Sequence, residues 1–146
     1  MPTEPTSGDA TGGIRELLNL SMPADAAAIA HTADAVAEIL IGLGIPEEKQ
    51  LEIGLALQEA LANAVVHGCG NDPSKTVRCR LSCDGNGRVL IVVSDPGSGL
   101  DPSALPDPRE GQNLYQDHGR GIYLIRRLMD DVRFVRGGSE IQMWKY

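Results

Sequence analysis

Hydrophobic residues recur along this chain with two different periods, and each period predicts one kind of element. Apolar residues three or four positions apart predict an amphipathic helix over residues 21–43, with a capping hydroxyl at Ser21 and a stop at Gly44. The same spacing predicts a second helix over residues 46–67. The faces expected to be buried are Ala26, Ile29, Ala33, Val36 and Leu40 on the first helix and Ile53, Leu57, Ala60, Leu61 and Ala64 on the second.

Alternating or continuous apolar residues predict strands in most of the remaining chain. The Asp-Gly-Asn-Gly sequence at residues 84–87 predicts a hairpin turn between two of them. The predicted strands cover residues 14–20 (an edge strand), 76–83, 89–93, 132–135 and 141–144, and a third helix covers residues 119–129. This order favours an α+β fold, a two-layer α/β sandwich in which helices cover one face of a mixed, mostly antiparallel sheet.

Length and composition indicate one globular domain. The chain has 146 residues and begins with a segment rich in Pro, Thr, Ser and Gly, so we expect a flexible tail at residues 1–13 and one folded domain at residues 14–146. The formal net charge is -7 and aromatic residues make up 3% of the chain. Both values weigh against nucleic acid as a direct partner, because that binding needs basic side chains and exposed aromatic rings.

Cysteine spacing and hydropathy favour a cytoplasmic protein. Cys69, Cys79 and Cys83 lack the spacing of a metal site and are expected to be reduced thiols. The chain shows no signal-peptide pattern and no apolar run of the ~18 residues that a membrane-spanning helix needs. We therefore expect no contact with a membrane.

The first candidate for chemistry lies on the second predicted helix. Glu59, Asn63 and His67 are each four residues apart, so they share one side of the helix. A carboxylate and an amide one turn apart offer a proton acceptor and an oxygen ligand for Mg²⁺. A solvated helix face explains the same residues without any chemistry.

The second candidate follows the most apolar predicted strand. Asp95, Gly97 and Gly99 place a carboxylate at a strand end, followed by two residues that let the backbone approach a ligand closely. A carboxylate in this position can accept a hydrogen bond from an exocyclic amino group. A tight turn would use the same residue types.

The third candidate lies at the start of the third predicted helix. Gly119, Arg120 and Gly121 would expose backbone N–H groups at a helix N-terminus, which suits phosphate, and Arg120 adds a permanent positive charge. An ordinary glycine-containing junction between a loop and a helix is the alternative.

The order and context of these three segments resemble the GHKL ATP-binding fold of gyrases, heat-shock chaperones, histidine kinases and MutL. The sequences EALANAVVHG (59–68), DPGSG (95–99) and GRGIYLIRRLM (119–129) are similar to those of the RsbW-like branch, the anti-sigma-factor serine/threonine kinases. The resemblance covers about residues 14–146, nearly the whole chain.

The resemblance implies a role for each candidate residue. Asn63 would coordinate the Mg²⁺ that bridges the phosphates of ATP, and Glu59 would be the general base. Asp95 would bind the adenine amino group. Gly97 and Gly99 would shape the base pocket.

Further roles follow from the same resemblance. Gly119 and Gly121 would hold the phosphates, with Arg120 near the terminal one. Ser139 stands where the family usually has Thr beside the adenine, so a hydroxyl is retained. Residues 100–118 correspond to the family's lid, whose sequence varies too much for roles to be transferred. His67 is expected to be structural, since Mg²⁺ prefers oxygen ligands.

The function implied is that of an ATP- and Mg²⁺-dependent serine/threonine kinase and anti-sigma factor. Its substrate would be a STAS-domain anti-anti-sigma protein, and a homodimer of the kinase would sequester a sigma factor. Two alternatives stay open: an ATP-responsive binding module that transfers no phosphate, and a histidine-kinase catalytic domain acting in trans.

Overall fold

Five strands form one antiparallel sheet in the computed structural model, which describes residues 13–96 and 121–146. The strands are β1 (Arg15–Pro23), β2 (Thr76–Cys83), β3 (Val89–Ser94), β4 (Asp131–Val135) and β5 (Glu140–Lys145). They lie in the order β1-β2-β3-β5-β4, and all four pairings are antiparallel. The predicted α+β class and sheet are confirmed, and the two hairpins β2–β3 and β4–β5 account for two of the four antiparallel pairings.

Helices pack against this sheet. They are α1 (Ala26–Gly42), α2 (Glu47–Asn63) and α3, which is helical over residues 121–128. A π-helical turn, Ala64–Gly68, continues α2 directly, and a 3₁₀ turn, Arg136–Gly138, joins β4 to β5. α1 and α2 are antiparallel neighbours because only residues 43–46 connect them.

One face of the sheet forms the hydrophobic core with the helices. The register places five apolar side chains in one row across the strands, and every row member contributes to or packs against the core. The members of that row are Leu18, Leu81, Ile91, Met143 and Val132. Because strand residues alternate between faces, their neighbours in the sequence point to the other side, where Arg78, Arg80 and Arg133 lie.

The predicted start of α1 is wrong. Ser21 and Pro23 belong to β1, where they pair with β2, and the helix begins after Asp25. The Asp25 carboxylate accepts a hydrogen bond from the Ala28 N–H at 2.8 Å, so Asp25 is the capping residue. Pro23 is compatible with β1 because an edge strand leaves one row of N–H groups unpaired.

The later start also changes the buried face of α1. Its buried residues are Ala28, Thr32, Val36 and Leu40, whereas the predicted Ala26 is exposed. Ile29, also predicted, is partly buried against the core, and Ala33 is half-buried. On α2, by contrast, Ile53, Leu57, Ala60, Leu61 and Ala64 are all buried, as predicted.

The cysteines are free thiols, as predicted: Cys69 and Cys79 are buried and Cys83 is half-buried. No helix within residues 13–96 and 121–146 combines the length and the hydropathy that crossing a membrane requires. The predicted tail at residues 1–13 lies, apart from Gly13, outside the described residues.

Candidate active site

Glu59 and Asn63 lie half-buried on one side of α2, next to Gly121 of α3. A Cβ atom on Gly121 would lie 3.0 Å from Glu59 Oε1 and 3.2 Å from Asn63 Nδ2. Gly121 is buried, so this close approach leaves little room for a side chain there. The structure therefore brings together residues from the first and third predicted segments.

Neither Glu59 nor Asn63 uses its side chain to hold the fold together. Within the described residues, neither side chain has a hydrogen-bond or ion-pair partner. α2 is instead positioned by its apolar side, where Ile53, Leu57 and Leu61 are fully buried. The carboxylate and the amide can therefore contact a ligand without a loss of structural bonds.

Asp95 directly follows β3 and lies beside Ser139. Its backbone N–H donates to the Ser139 carbonyl at 2.9 Å, which extends the β3–β5 pairing by one step. Its carboxylate packs against Gly68, where a Cβ atom would overlap the carboxyl group. Asp95 is thus held between the end of the π-helical turn and the start of β5.

The π-helical turn determines where Gly68 lies. The Cys69 N–H donates to the Ala64 carbonyl at 2.9 Å, five residues back instead of four. The same turn buries Cys69, and burial raises the pKa of its thiol, with a further contribution from the negative charge of Asp95. The hydrophobic period did not predict this turn. The His67-Gly68 pair shows only that the helical pattern ends here.

Ser139 lies at the junction of the 3₁₀ turn and β5. Its hydroxyl donates to the Arg136 carbonyl at 2.8 Å, and its backbone carbonyl is the acceptor for Asp95. The hydroxyl proton therefore stabilises the turn, and the oxygen lone pairs are what Ser139 can offer to a ligand.

One pocket joins Asn63, Gly68, Asp95 and Ser139, while Glu59 and Gly121 lie beside Asn63 without lining it. Its polar side chains are Asn63, Asp95 and Ser139. The rest of its lining is apolar or glycine: Ala60, Ala64, Gly68, Val93, Ile122, Phe134, Gly138 and Ile141. A few convergent polar groups on an apolar lining are typical of a small-molecule site.

The remaining predicted site residues lie outside the described part of the chain. Gly97 and Gly99 follow Pro96, and Gly119 and Arg120 precede Gly121. Their roles, and that of the predicted lid, stay predictions.

A family model described as the histidine kinase-like ATPase domain matches residues 22–145. This chain belongs to the histidine kinase-like ATPase domain family. The match begins at the end of β1, runs to the end of β5 and includes every residue of the pocket.

Relatives within this ATPase family support the predicted RsbW-like branch. The chain is 27% identical to the serine-protein kinase RsbW of Bacillus mycoides over 139 residues, covering 90% of this chain and 85% of the relative. It is 30% identical to the anti-sigma F factor of Geobacillus stearothermophilus over 104 residues, covering 66% and 67% of the two chains.

Solved structures show the same ATPase fold. A Mycobacterium tuberculosis structure containing RsbU and RsbW domains matches with a TM-score of 0.59 and 21% identity, over 88% of this chain and 30% of that one. The histidine kinase domain of a blue-light-activated kinase from Erythrobacter litoralis matches with a TM-score of 0.52 and 27% identity, over 84% of this chain and 59% of that one.

Family membership implies ATP as a ligand, and the pocket residues fit it. Gly68 and Gly121 lack the Cβ atoms that would fill the space beside Asp95 and beside Glu59 and Asn63. Asp95 offers a carboxylate at the strand end. Within the described residues no three His, Cys, Asp or Glu side chains form a metal site. The amide oxygen of Asn63 is of a type that Mg²⁺ binds in proteins.

Proposed function

We propose that this protein is an ATP-dependent serine/threonine kinase that acts as an anti-sigma factor and phosphorylates a STAS-domain antagonist. The observation that carries the proposal is the position of Gly121 against both Glu59 and Asn63. The carboxylate of Glu59, the amide of Asn63 and the first described residue of α3 lie in one place. The names of the RsbW and anti-sigma F relatives support a serine-protein kinase and an anti-sigma factor, and the STAS-domain substrate is inferred from the sequence resemblance.

Each pocket residue has a proposed role. Asp95 would accept a hydrogen bond from the adenine amino group, with Ser139 beside it. Asn63 would hold Mg²⁺ through its amide oxygen. Gly121, together with Gly119 and Arg120, would contact the phosphates through backbone N–H groups and one guanidinium.

Glu59 would accept the proton of the substrate hydroxyl. When bound, Mg-ATP supplies a terminal phosphoryl group whose charge is partly neutralised. Phosphoryl transfer depends on positioning and charge neutralisation, so the chain's residues mainly orient the reactants. The proton removed from the attacking hydroxyl passes to the Glu59 carboxylate, which is half-buried and has no partner among the described side chains.

The proposal is tested by phosphate transfer from labelled ATP to purified STAS-domain proteins. Glu59→Gln keeps the size of the side chain and removes the proton acceptor, so we expect transfer to fall by about 10²–10⁴-fold while ATP binding persists. Glu16→Gln is the matched control, since Glu16 is an exposed carboxylate on β1, away from α2.

Three outcomes contradict parts of the proposal. Transfer that survives Glu59→Gln excludes Glu59 as the base. ATP-dependent binding of the partner without transfer identifies a regulatory binding module. Acid-labile phosphate on a partner histidine identifies a histidine-kinase activity acting in trans.

The proposed setting is the cytoplasm, where ATP and transcription factors meet. Sequestration of a sigma factor by a homodimer is part of the proposal. It is tested by co-purification with candidate sigma factors and by sedimentation of the protein alone. A monomer that binds none of the sigma factors contradicts this part and leaves the kinase assignment intact.

A further inference from the structure

Exposed apolar side chains are concentrated on the helical layer of this protein. Nine large hydrophobic residues are exposed in the described part of the chain, and seven of them lie on helices or helix ends. Those seven are Ile41, Leu43, Leu51, Leu55, Val66, Tyr123 and Leu124. Exposed apolar residues that adjoin one another can form an interaction surface, whereas single exposed residues carry no such meaning.

Two of these residues lead along α2 to the proposed base. Leu51, Leu55 and Glu59 are each four residues apart and therefore form a line along one side of the helix. Leu51 is 65% exposed and Leu55 is 42% exposed. A partner that covers this line is therefore held close to Glu59.

The charges beside this line are almost all negative. α1 contains no Lys or Arg, and Asp34 and Glu38 on it are exposed. α2 contributes exposed Glu47 and Glu48 in its first turn. None of these four carboxylates has an ion-pair partner within residues 13–96 and 121–146.

The antiparallel hairpin places Asp34 and Glu38 level with the two leucines of the neighbouring helix. Glu38 and Leu51 lie at similar distances along their helices from the connection at residues 43–46, and so do Asp34 and Leu55. Lys49 is the single basic residue of α2, and its ammonium group donates to the Tyr146 carbonyl at 2.5 Å. The surface therefore offers apolar contact bordered by unpaired negative charge.

We propose that this surface, formed by Asp34, Glu38, Glu48, Leu51 and Leu55, is the docking site for a basic amphipathic helix of the protein partner. Leucines of the partner would cover Leu51 and Leu55, and its Lys or Arg residues would face the carboxylates. This proposal rests on the proposed kinase function in one respect: the partner that docks here is taken to be the protein that accepts the phosphate. The charge pattern selects a basic segment over an acidic one.

Peptide binding tests the docking surface without ATP, so its failure is separate from failure of the kinase assignment. The probes are two labelled peptides of ~18 residues, about five helical turns, with one leucine pattern. One peptide carries Lys and the other Glu at the polar positions. We expect the Lys peptide to bind at least about tenfold more tightly, with a difference that shrinks at high salt.

Matched variants distinguish binding at this surface from attraction by the net charge of the whole protein. Leu51→Ser with Leu55→Ser should weaken binding of the Lys peptide by about tenfold or more, whereas Ile14→Ser, at a 50% exposed aliphatic residue before β1, should not. Glu38→Lys should weaken binding of the Lys peptide more than Glu16→Lys does. Glu16 lies on β1, and its replacement by Lys changes the net charge of the protein by the same amount.

Several results would overturn the proposal. Equal binding of the two peptides removes the charge selection, and equal effects of the leucine and Ile14 variants remove the site. If sedimentation shows a dimer that the Leu51 and Leu55 changes convert to a monomer, the occupant is a second copy of this chain. Circular dichroism of each variant excludes misfolding as the cause.

Discussion

Gly68 and Gly54 lie on the same helical segment, yet their missing side chains have different consequences. A Cβ on Gly68 would overlap the Asp95 carboxylate, while a Cβ on Gly54 would have no atom within 4 Å. Gly68→Ala should displace Asp95 and weaken nucleotide binding. Gly54→Ala should leave binding unchanged and raise the free energy of unfolding by about 0.5–1 kcal/mol, since Ala is the better helix former. Calorimetric titration with ATP and urea unfolding distinguish the two effects.

Cys79 makes the stability of the fold depend on pH in the alkaline range. Burial raises the pKa of its thiol from 9.0 to about 12. The unfolded chain therefore ionises first, and the stabilising contribution, complete below pH 9, is lost as the pH rises towards 12. Urea unfolding at pH 8, 9 and 10 should show a steeper loss for the wild type than for Cys79→Ala. The difference in slope is at most about 1.4 kcal/mol per pH unit. Equal slopes would contradict the assigned pKa.

At the scale of elements, α2 and α3 are linked at the end that lies away from Gly121. Lys145 donates to the Leu128 carbonyl at 2.6 Å and pairs with Glu52 at 2.9 Å, while its side chain is only 11% exposed. It thus joins the last turn of α3 to α2, the helix that carries Glu59 and Asn63.

Loss of this link should lower stability and loosen the site. Lys145→Met keeps the apolar stem and removes three donors, so we expect a loss of about 1–3 kcal/mol in the free energy of unfolding. A double-mutant cycle with Glu52→Gln should give a coupling energy of about 0.5–1 kcal/mol. Zero coupling would mean that the ion pair contributes nothing and that the bond to Leu128 accounts for the whole effect.

Sequence analysis predicted α2 better than α1 for a physical reason. The buried face of α2 is set by large residues at Ile53, Leu57 and Leu61, whose period leaves one solution. The start of α1 is rich in alanine, which fits a buried or an exposed position, so the period alone could not fix its face. Ser21 was also predicted as the capping residue of α1. In the structure it pairs, within β1, with Arg78 of β2, and a strand so distant in the sequence leaves no local signal.

In the candidate site, too, contacts between residues close in the sequence were predictable, and contacts between distant segments were not predictable from periodicity. The neighbourhood of Glu59 and Asn63 follows from helical spacing alone. Their contact with Gly121 joins segments about 60 residues apart in the sequence, and only the resemblance to a known fold predicted it. The π-helical turn had no signal in periodicity, since a single widened turn shifts the pattern only where the helix ends.

At the scale of the whole molecule, ligand binding and folding should be linked through Asp95. It is held by Gly68 on one side and by the Ser139 carbonyl on the other. A ligand that binds only the folded state stabilises it by about 2.7 kcal/mol at 100 times its Kd. Mg-ATP should therefore raise the midpoint temperature of unfolding of the wild type. At the same Mg-ATP concentration, it should raise the midpoint of Asp95→Asn much less. An equal shift would exclude Asp95 as a nucleotide contact.

Charge is unevenly distributed over the two layers. The exposed side of α1 and α2 is acidic and carries unpaired carboxylates. On the sheet face that is turned away from the helices, Arg80 pairs with Glu16 and Arg133 pairs with Asp131, so positive and negative charges largely offset one another. A basic partner would therefore be directed to the helical layer of this small domain.

The π-helical turn at Ala64–Gly68 also limits how this segment can change in length. Deleting one residue between Asn63 and Gly68 would turn the five-residue span from Ala64 to Cys69 into the four-residue span of a regular α-helix. Both spans close about one full turn, so Gly68 would stay close to Asp95. Deleting a second residue would turn Gly68 away by about 100°, the rotation of one α-helical residue. Substitutions at the exposed Val66, or the loss of that one residue, should therefore be tolerated, whereas the loss of two residues should abolish the pocket. In an alignment of functional relatives, this stretch should vary in sequence and show gaps of no more than one residue.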